Sequence, residues 1–133
     1  MSNKLFVTWK QIENAVDKLA VKYEAKYNNC TSIYGLPRGG LPLAVMLSHR
    51  LNLPLTLVEP WTDPNRFEQK GNVLIVDDIA DTGAQLSKYE NFQRSVIFTI
   101  FYHKQSVIIP DEWIYEKHNQ WIVYPWEVSN EDN

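Results

Sequence analysis

The spacing of hydrophobic positions changes character along this chain. Ile12, Val16, Leu19, Tyr23 and Tyr27 recur at intervals of three or four with Lys and Glu between them. That spacing predicts an amphipathic helix of about five turns with one face on a core. Thr8 and Gln11 stand in front of it with capping-box spacing, Val7 and Ile12 are placed for a hydrophobic staple, and Asn28-Asn29 closes it. Thr31 to Tyr34 then reads as a short strand, Leu41 to Leu51 as a second helix with Pro42 in its first turn, and Leu55 to Val58 as a strand. Val73 to Val76 is a run of four apolar residues, three of them β-branched, which predicts a strand buried on both faces. A short helix from about Ala84 to Tyr89, an apolar run Ser95 to Phe101, and short strands at Trp113-Ile114-Tyr115 and Trp121-Ile122-Val123 follow. Strand and helix alternate through the first hundred residues, so the expected class is α/β, a mostly parallel twisted sheet flanked by helices.

The apolar run ends at Asp77-Asp78, and Asp81 opens a Thr-Gly-Ala turn. Open α/β sheets place their ligands at the carboxyl ends of such strands. In an extended strand the adjacent Asp77 and Asp78 point to opposite sides, so only a turn would make them converge. Asp81 could instead be an N-cap, with the pair simply solvated. Three carboxylates between a doubly buried strand and a glycine turn favour a site. The loop Asp81 to Gln85 offers consecutive backbone N–H groups at a helix start, with a Thr82 hydroxyl and the close approach that Gly83 permits. Pro37-Arg38-Gly39-Gly40 makes a second strand-to-helix turn able to bind an anion, unless it is only a tight turn with a surface arginine.

Composition narrows the partners. The 133 residues suit one domain, residues 1–128, with a polar tail at 129–133. The net charge of −3 gives no basic footprint for nucleic acid or an anionic membrane. The one cysteine, Cys30, excludes an internal disulfide and reads as a buried structural thiol. His49, His103 and His118 lack metal-ligand spacing. With no leader-like segment or membrane-length apolar run, the expectation is a cytoplasmic protein.

The stretch VLIVDDIADTGAQ resembles the phosphoribosyl pyrophosphate (PRPP) signature of type I phosphoribosyltransferases. VTW near the start, PRGGLP, TIF before a lysine, and WIVYPWE fall in the order of the xanthine-guanine branch, so the resemblance covers nearly the whole chain. It implies transfer of a phosphoribosyl group from PRPP to a 6-oxopurine, with Mg²⁺, in a homo-oligomer (dimer or tetramer) whose C-terminal part forms a small hood. Asp77 and Asp78 would hold the ribose hydroxyls and, through substrate or water, Mg²⁺. Asp81 would act at the purine N7 as general base, and Asp81, Thr82, Gly83, Ala84 and Gln85 would cradle the 5′-phosphate. Pro37, Arg38, Gly39 and Gly40 would bind pyrophosphate. Trp121 would stack on the base, the Ile122 backbone would read its edge, and Lys104 would meet the 6-oxo group.

The chain departs from the family in three places. Tyr102-His103 puts one residue more than the family pattern before Lys104, so His103 could face the base instead. Gln85 stands where a small hydroxyl residue is usual. The loop Glu59 to Gly71 is shorter than the family's mobile flap, which implies weaker turnover and some PRPP hydrolysis. A catalytically weak PRPP or nucleotide sensor is therefore the alternative. An aspartic protease, suggested by ADTGA, would require an all-β chain.

Overall fold

The computed structural model describes residues 3–57, 59–60, 72–90 and 95–127. The chain begins with strand β1 (Lys4–Phe6) and helix α1 (Trp9–Lys26). The capping box closes as the sequence predicts: Gln11 N–H donates to Thr8 Oγ1 at 3.1 Å and Thr8 N–H donates to Gln11 Oε1 at 2.9 Å. Strand β2 (Cys30–Gly35), helix α2 (Gly40–Leu51) and strands β3 (Asn72–Ala80), β4 (Ser95–His103), β5 (Tyr115–Lys117) and β6 (Trp121–Val123) follow.

Strands β2, β3, β4 and β5 pair in that order, all parallel. Parallel strands need crossovers, and these cover both faces. α1 and α2 bury Leu19, Leu43 and Leu47 against Leu74, Val76 and Phe98 on one face. Leu86 and Tyr89 pack on Val73, Ile75 and Ile97 on the other. This two-sided burial explains the uninterrupted run Val73 to Val76, whose members are 0–2% exposed. Each such side chain contributes about 1.5–3 kcal/mol by leaving water.

Several elements differ from their predicted form. Strand β3 runs on through Asp77 and Asp78 to Ala80, because β4 continues to pair with it as far as Ala80 opposite Tyr102. The segment at Leu55 contributes a single parallel bridge to Ile33 among the described residues, and Val58 lies outside them. The helix expected from Ala84 is one 3-10 turn, Leu86–Tyr89. There the Ser87 hydroxyl donates to Ala84 O at 2.7 Å, a local bond that competes with a longer helix. The strand expected from Trp113 starts at Tyr115, and the Trp113 ring packs on Tyr102 at 5.1 Å instead.

The C-terminal part forms the small hood, in which β6 pairs in parallel with β1 as a separate two-stranded sheet. This parallel α/β architecture overturns the aspartic-protease reading, which needs antiparallel β structure. Among the described residues no helix is long and apolar enough to cross a membrane. The tail at 129–133 and most of the shortened loop, residues 61–71, lie outside the described residues.

Candidate functional site

The chain leaves β2 through α2 toward Leu55 on one side, then returns to β3 on the other side of β2 and moves on to β4. The connections after β2 and β3 thus diverge, which makes the gap between their carboxyl ends a topological switch point where ligands settle. The Pro37 to Gly40 turn and the Asp77 to Gln85 segment meet there.

The contact between them is tight. Leu36 N–H donates to Val76 O at 3.0 Å and Gly40 N–H to Leu36 O at 2.8 Å, pinning the turn to the end of β3. A Cβ on Gly39 would strike the Asp78 carboxylate, and one on Gly40 would lie 2.6 Å from Val76 O. Only glycine lets the turn come this close. The Pro37–Arg38 peptide is cis. Arg38 is exposed and makes no ion pair among the described residues; with Gly39, Asp78, Trp126 and Glu127 it lines a cavity of about 590 Å³. That volume suits a nucleotide-sized ligand.

Asp77 and Asp78 converge on this turn without any break in the strand, contrary to the expectation that a turn was required. Asp77 Oδ1 folds back to accept from Asp78 N–H at 2.8 Å and also faces Gly40, while the Asp78 carboxylate faces Gly39. Burial first, then for Asp77 the charge of Asp78, raises both carboxyls above their ordinary range. Among the described residues no three His, Cys, Asp or Glu side chains group to hold a metal. Two adjacent carboxylates with raised affinity for a proton do fit Mg²⁺, which takes one or two protein carboxylates and completes its shell with substrate phosphates and water.

A stability prediction follows from these carboxyls. A folded pKa raised above the unfolded value gives stability that is complete in acid and is lost as pH rises above the ordinary carboxylate range. Asp77→Asn should therefore raise the thermal midpoint relative to wild type more at pH 8 than at pH 5, by roughly 3–6 °C. Calorimetry at the two pH values checks it, and a pH-independent difference would contradict the assignment.

Asp81 does not act as an N-cap. Its Oδ2 pairs with Lys117 Nζ at 2.9 Å, and the Gln105 amide reaches its Oδ1 at 3.4 Å. The Lys117 side chain is 12% exposed and its Nζ lies 5.8 Å from the centre of the Trp121 ring, within cation–π range. Trp121 itself is 62% exposed, leaving its ring open to stacking, while Ile122 is buried and fixes β6. Lys104 is exposed on the turn after β4 and makes no ion pair among the described residues. Strand β4 runs through to His103, which leaves Lys104 past the strand end. His103 Nδ1 accepts from Gln105 N–H at 3.1 Å, a bond within its own turn. Nothing local in the sequence marks Lys117, whose partner lies 36 residues away.

The loop after Asp81 is held open. Gly83 has φ +81°, and a side chain there would also strike Ser106. Ala84 N–H donates to Thr82 Oγ1 at 3.3 Å, while the N–H groups of Thr82, Gly83 and Gln85 have no partner among the described residues. With no α-helix behind it, this loop relies on those N–H groups rather than on a helix dipole to receive an anion. Cys30 is buried, and burial pushes its thiol up to about 11, as expected for a structural cysteine.

No protein-family model matches the chain. The structure superposes on a purine phosphoribosyltransferase from Pyrococcus horikoshii with a TM-score of 0.81, at 30% identity over 96% of both chains. A xanthine-guanine phosphoribosyltransferase from Idiomarina loihiensis is 22% identical over 96% of this chain and 89% of its own length. An orotate phosphoribosyltransferase from Aeropyrum pernix is 35% identical over 77 residues, which span 53% of this chain but 41% of that protein. The full-length agreement with the P. horikoshii structure and the carboxylates set against the Arg38-Gly39-Gly40 turn lead to one assignment: the chain belongs to the type I phosphoribosyltransferase family.

Proposed function

We propose that this protein transfers the phosphoribosyl group of PRPP to a 6-oxopurine, releasing pyrophosphate. The observation that carries this reading is the alignment of three groups along one edge. Arg38-Gly39-Gly40 abuts Asp77-Asp78, and Asp81 faces Lys117 beneath the open Trp121 ring. Pyrophosphate sits at the Pro37 to Gly40 turn with Arg38 on its oxygens, and the 5′-phosphate sits on the N–H groups from Thr82 to Gln85. Asp77 and Asp78 take the ribose hydroxyls. Mg²⁺, when bound, neutralises the departing pyrophosphate.

As the C1–O bond to pyrophosphate breaks, positive charge grows on the ribose, and the carboxylates beside it stabilise that charge. The incoming base stacks on Trp121, the Ile122 backbone reads its edge, and Asp81 accepts the proton lost as the new C1–N bond forms. The 6-oxo group meets Lys117, which takes the role that the sequence motif suggested for Lys104.

The test is nucleotide formation from PRPP and Mg²⁺ with hypoxanthine, guanine, xanthine, adenine and orotate. The 6-oxopurines should react and the other bases lag. Lys117→Gln should lower kcat/KM for hypoxanthine by about 10- to 100-fold, the value of a charge-assisted hydrogen bond, and narrow the preference over adenine. Lys104→Ala should stay near the wild type. Orotate as the preferred base, or an effect at Lys104 in place of Lys117, would overturn the assignment.

A further inference from the structure

We infer that Tyr124 is a positioning residue that links binding of the base to binding of PRPP; this rests on the phosphoribosyl-transfer reading above. Strand β6 carries Trp121 and pairs with β1, whereas the acidic end of β3 belongs to the four-stranded sheet. No backbone ladder joins the two among the described residues. Tyr124, the residue after β6, bridges them. Its hydroxyl donates to the main-chain oxygen of Asp78 at 3.1 Å, and the residue is 4% exposed.

The rest of Tyr124 is held as firmly as its hydroxyl. The ring lies flat on Trp126, with centroids 4.9 Å apart and planes 4° from parallel, and it meets the Phe101 ring edge-on at 6.1 Å. Its N–H donates to Glu127 Oε1 at 2.7 Å. Trp126 and Glu127 line the cavity that Arg38, Gly39 and Asp78 also line. A tyrosine suits this place because its flat, rigid side chain ends in a neutral donor. A stiff strut from β6 to Asp78 carries any displacement of the base platform to the ribose carboxylates. The same strut presents Asp78 ready for PRPP once a base is seated, so each ligand favours the arrangement that the other needs.

Tyr124→Phe tests this, since it keeps the ring and its stacking and removes only the donor. The affinity of PRPP with Mg²⁺ is measured by calorimetric titration with and without 9-deazaguanine, which lacks the ring nitrogen that would be glycosylated. In the wild type the base analogue should tighten PRPP by about fivefold or more, and in Tyr124→Phe by less than about twofold. Pyrophosphate with Mg²⁺, which rests on Arg38 and lacks the ribose hydroxyls that Asp78 takes, should weaken less than PRPP in the variant. Glu127→Gln, an exposed change that weakens the bond to the Tyr124 N–H, should shift the coupling in the same direction and covers the case in which Tyr124→Phe does not fold. A wild type that fails to bind PRPP would overturn the proposed function itself. Coupling absent from the wild type, coupling retained in the variants, or equal weakening of PRPP and pyrophosphate would each overturn the inference about Tyr124 alone.

Discussion

Asp81→Asn is expected to lower the rate of pyrophosphate release by about 10²- to 10⁴-fold, the range for loss of a general base. Asparagine preserves the shape of the side chain and its contact with the Gln105 turn but cannot accept the proton. The change also strips Lys117 of its partner at 2.9 Å, leaving a largely buried ammonium to be satisfied by the base alone. The loss should fall on kcat, with KM for PRPP near the wild type, because the proposed reading puts the base at Asp81 and the ribose at Asp77-Asp78. Steady-state kinetics with hypoxanthine separates the two. A variant within a few-fold of wild type would mean that the proton leaves by another route.

Gly39→Ala should weaken PRPP binding by about 100-fold while leaving the fold intact. Gly39 has ordinary helical dihedrals, φ −64° and ψ −28°, so alanine is no burden on the backbone. The added methyl group lands on the Asp78 carboxylate, the far end of a side chain that can turn away. Turning it away moves the carboxylate proposed to hold the ribose hydroxyls, and a displacement of about 1 Å at such a site costs on the order of 10². Gly40→Ala is the contrast. Its methyl group meets the main-chain oxygen of Val76 at 2.6 Å, in a strand that cannot yield, so it should damage folding rather than binding. Titration of PRPP with Mg²⁺, beside a thermal melt of each variant, checks both statements. Unchanged affinity in Gly39→Ala would show that the turn and the carboxylate move independently.

What the sequence could reveal followed the range of the interactions involved. Helix α1, its capping box and its buried face are written in residues three or four apart, and the structure reproduces them. The doubly buried strand is legible for the same reason, since Val73 to Val76 record the burial of both faces. The extension of β3 to Ala80 is not, because pairing with β4 overrides the polar character of Asp77 and Asp78. The hood was expected from the resemblance alone, and its form, β6 beside β1, joins the two ends of the chain and leaves no local trace.

The site divides in the same way. Asp77, Asp78, Arg38 and the glycines are contiguous motifs, and the sheet brings them to one edge. Lys117 and Tyr124 owe their positions to contacts with residues 36 and 46 positions away, and neither stands in a recognisable pattern. Lys104 stands on an exposed turn because strand β4 runs on through Tyr102 and His103 before it.

The central claim is PRPP-dependent transfer at the switch point between β2 and β3. The direct measurement is simultaneous quantification of pyrophosphate, purine nucleotide and free ribose phosphate from PRPP, Mg²⁺ and hypoxanthine. One nucleotide per pyrophosphate, lost in Asp81→Asn, is the expected result. Binding of PRPP with no pyrophosphate released over any 6-oxopurine would contradict the claim and leave a sensor in place of an enzyme.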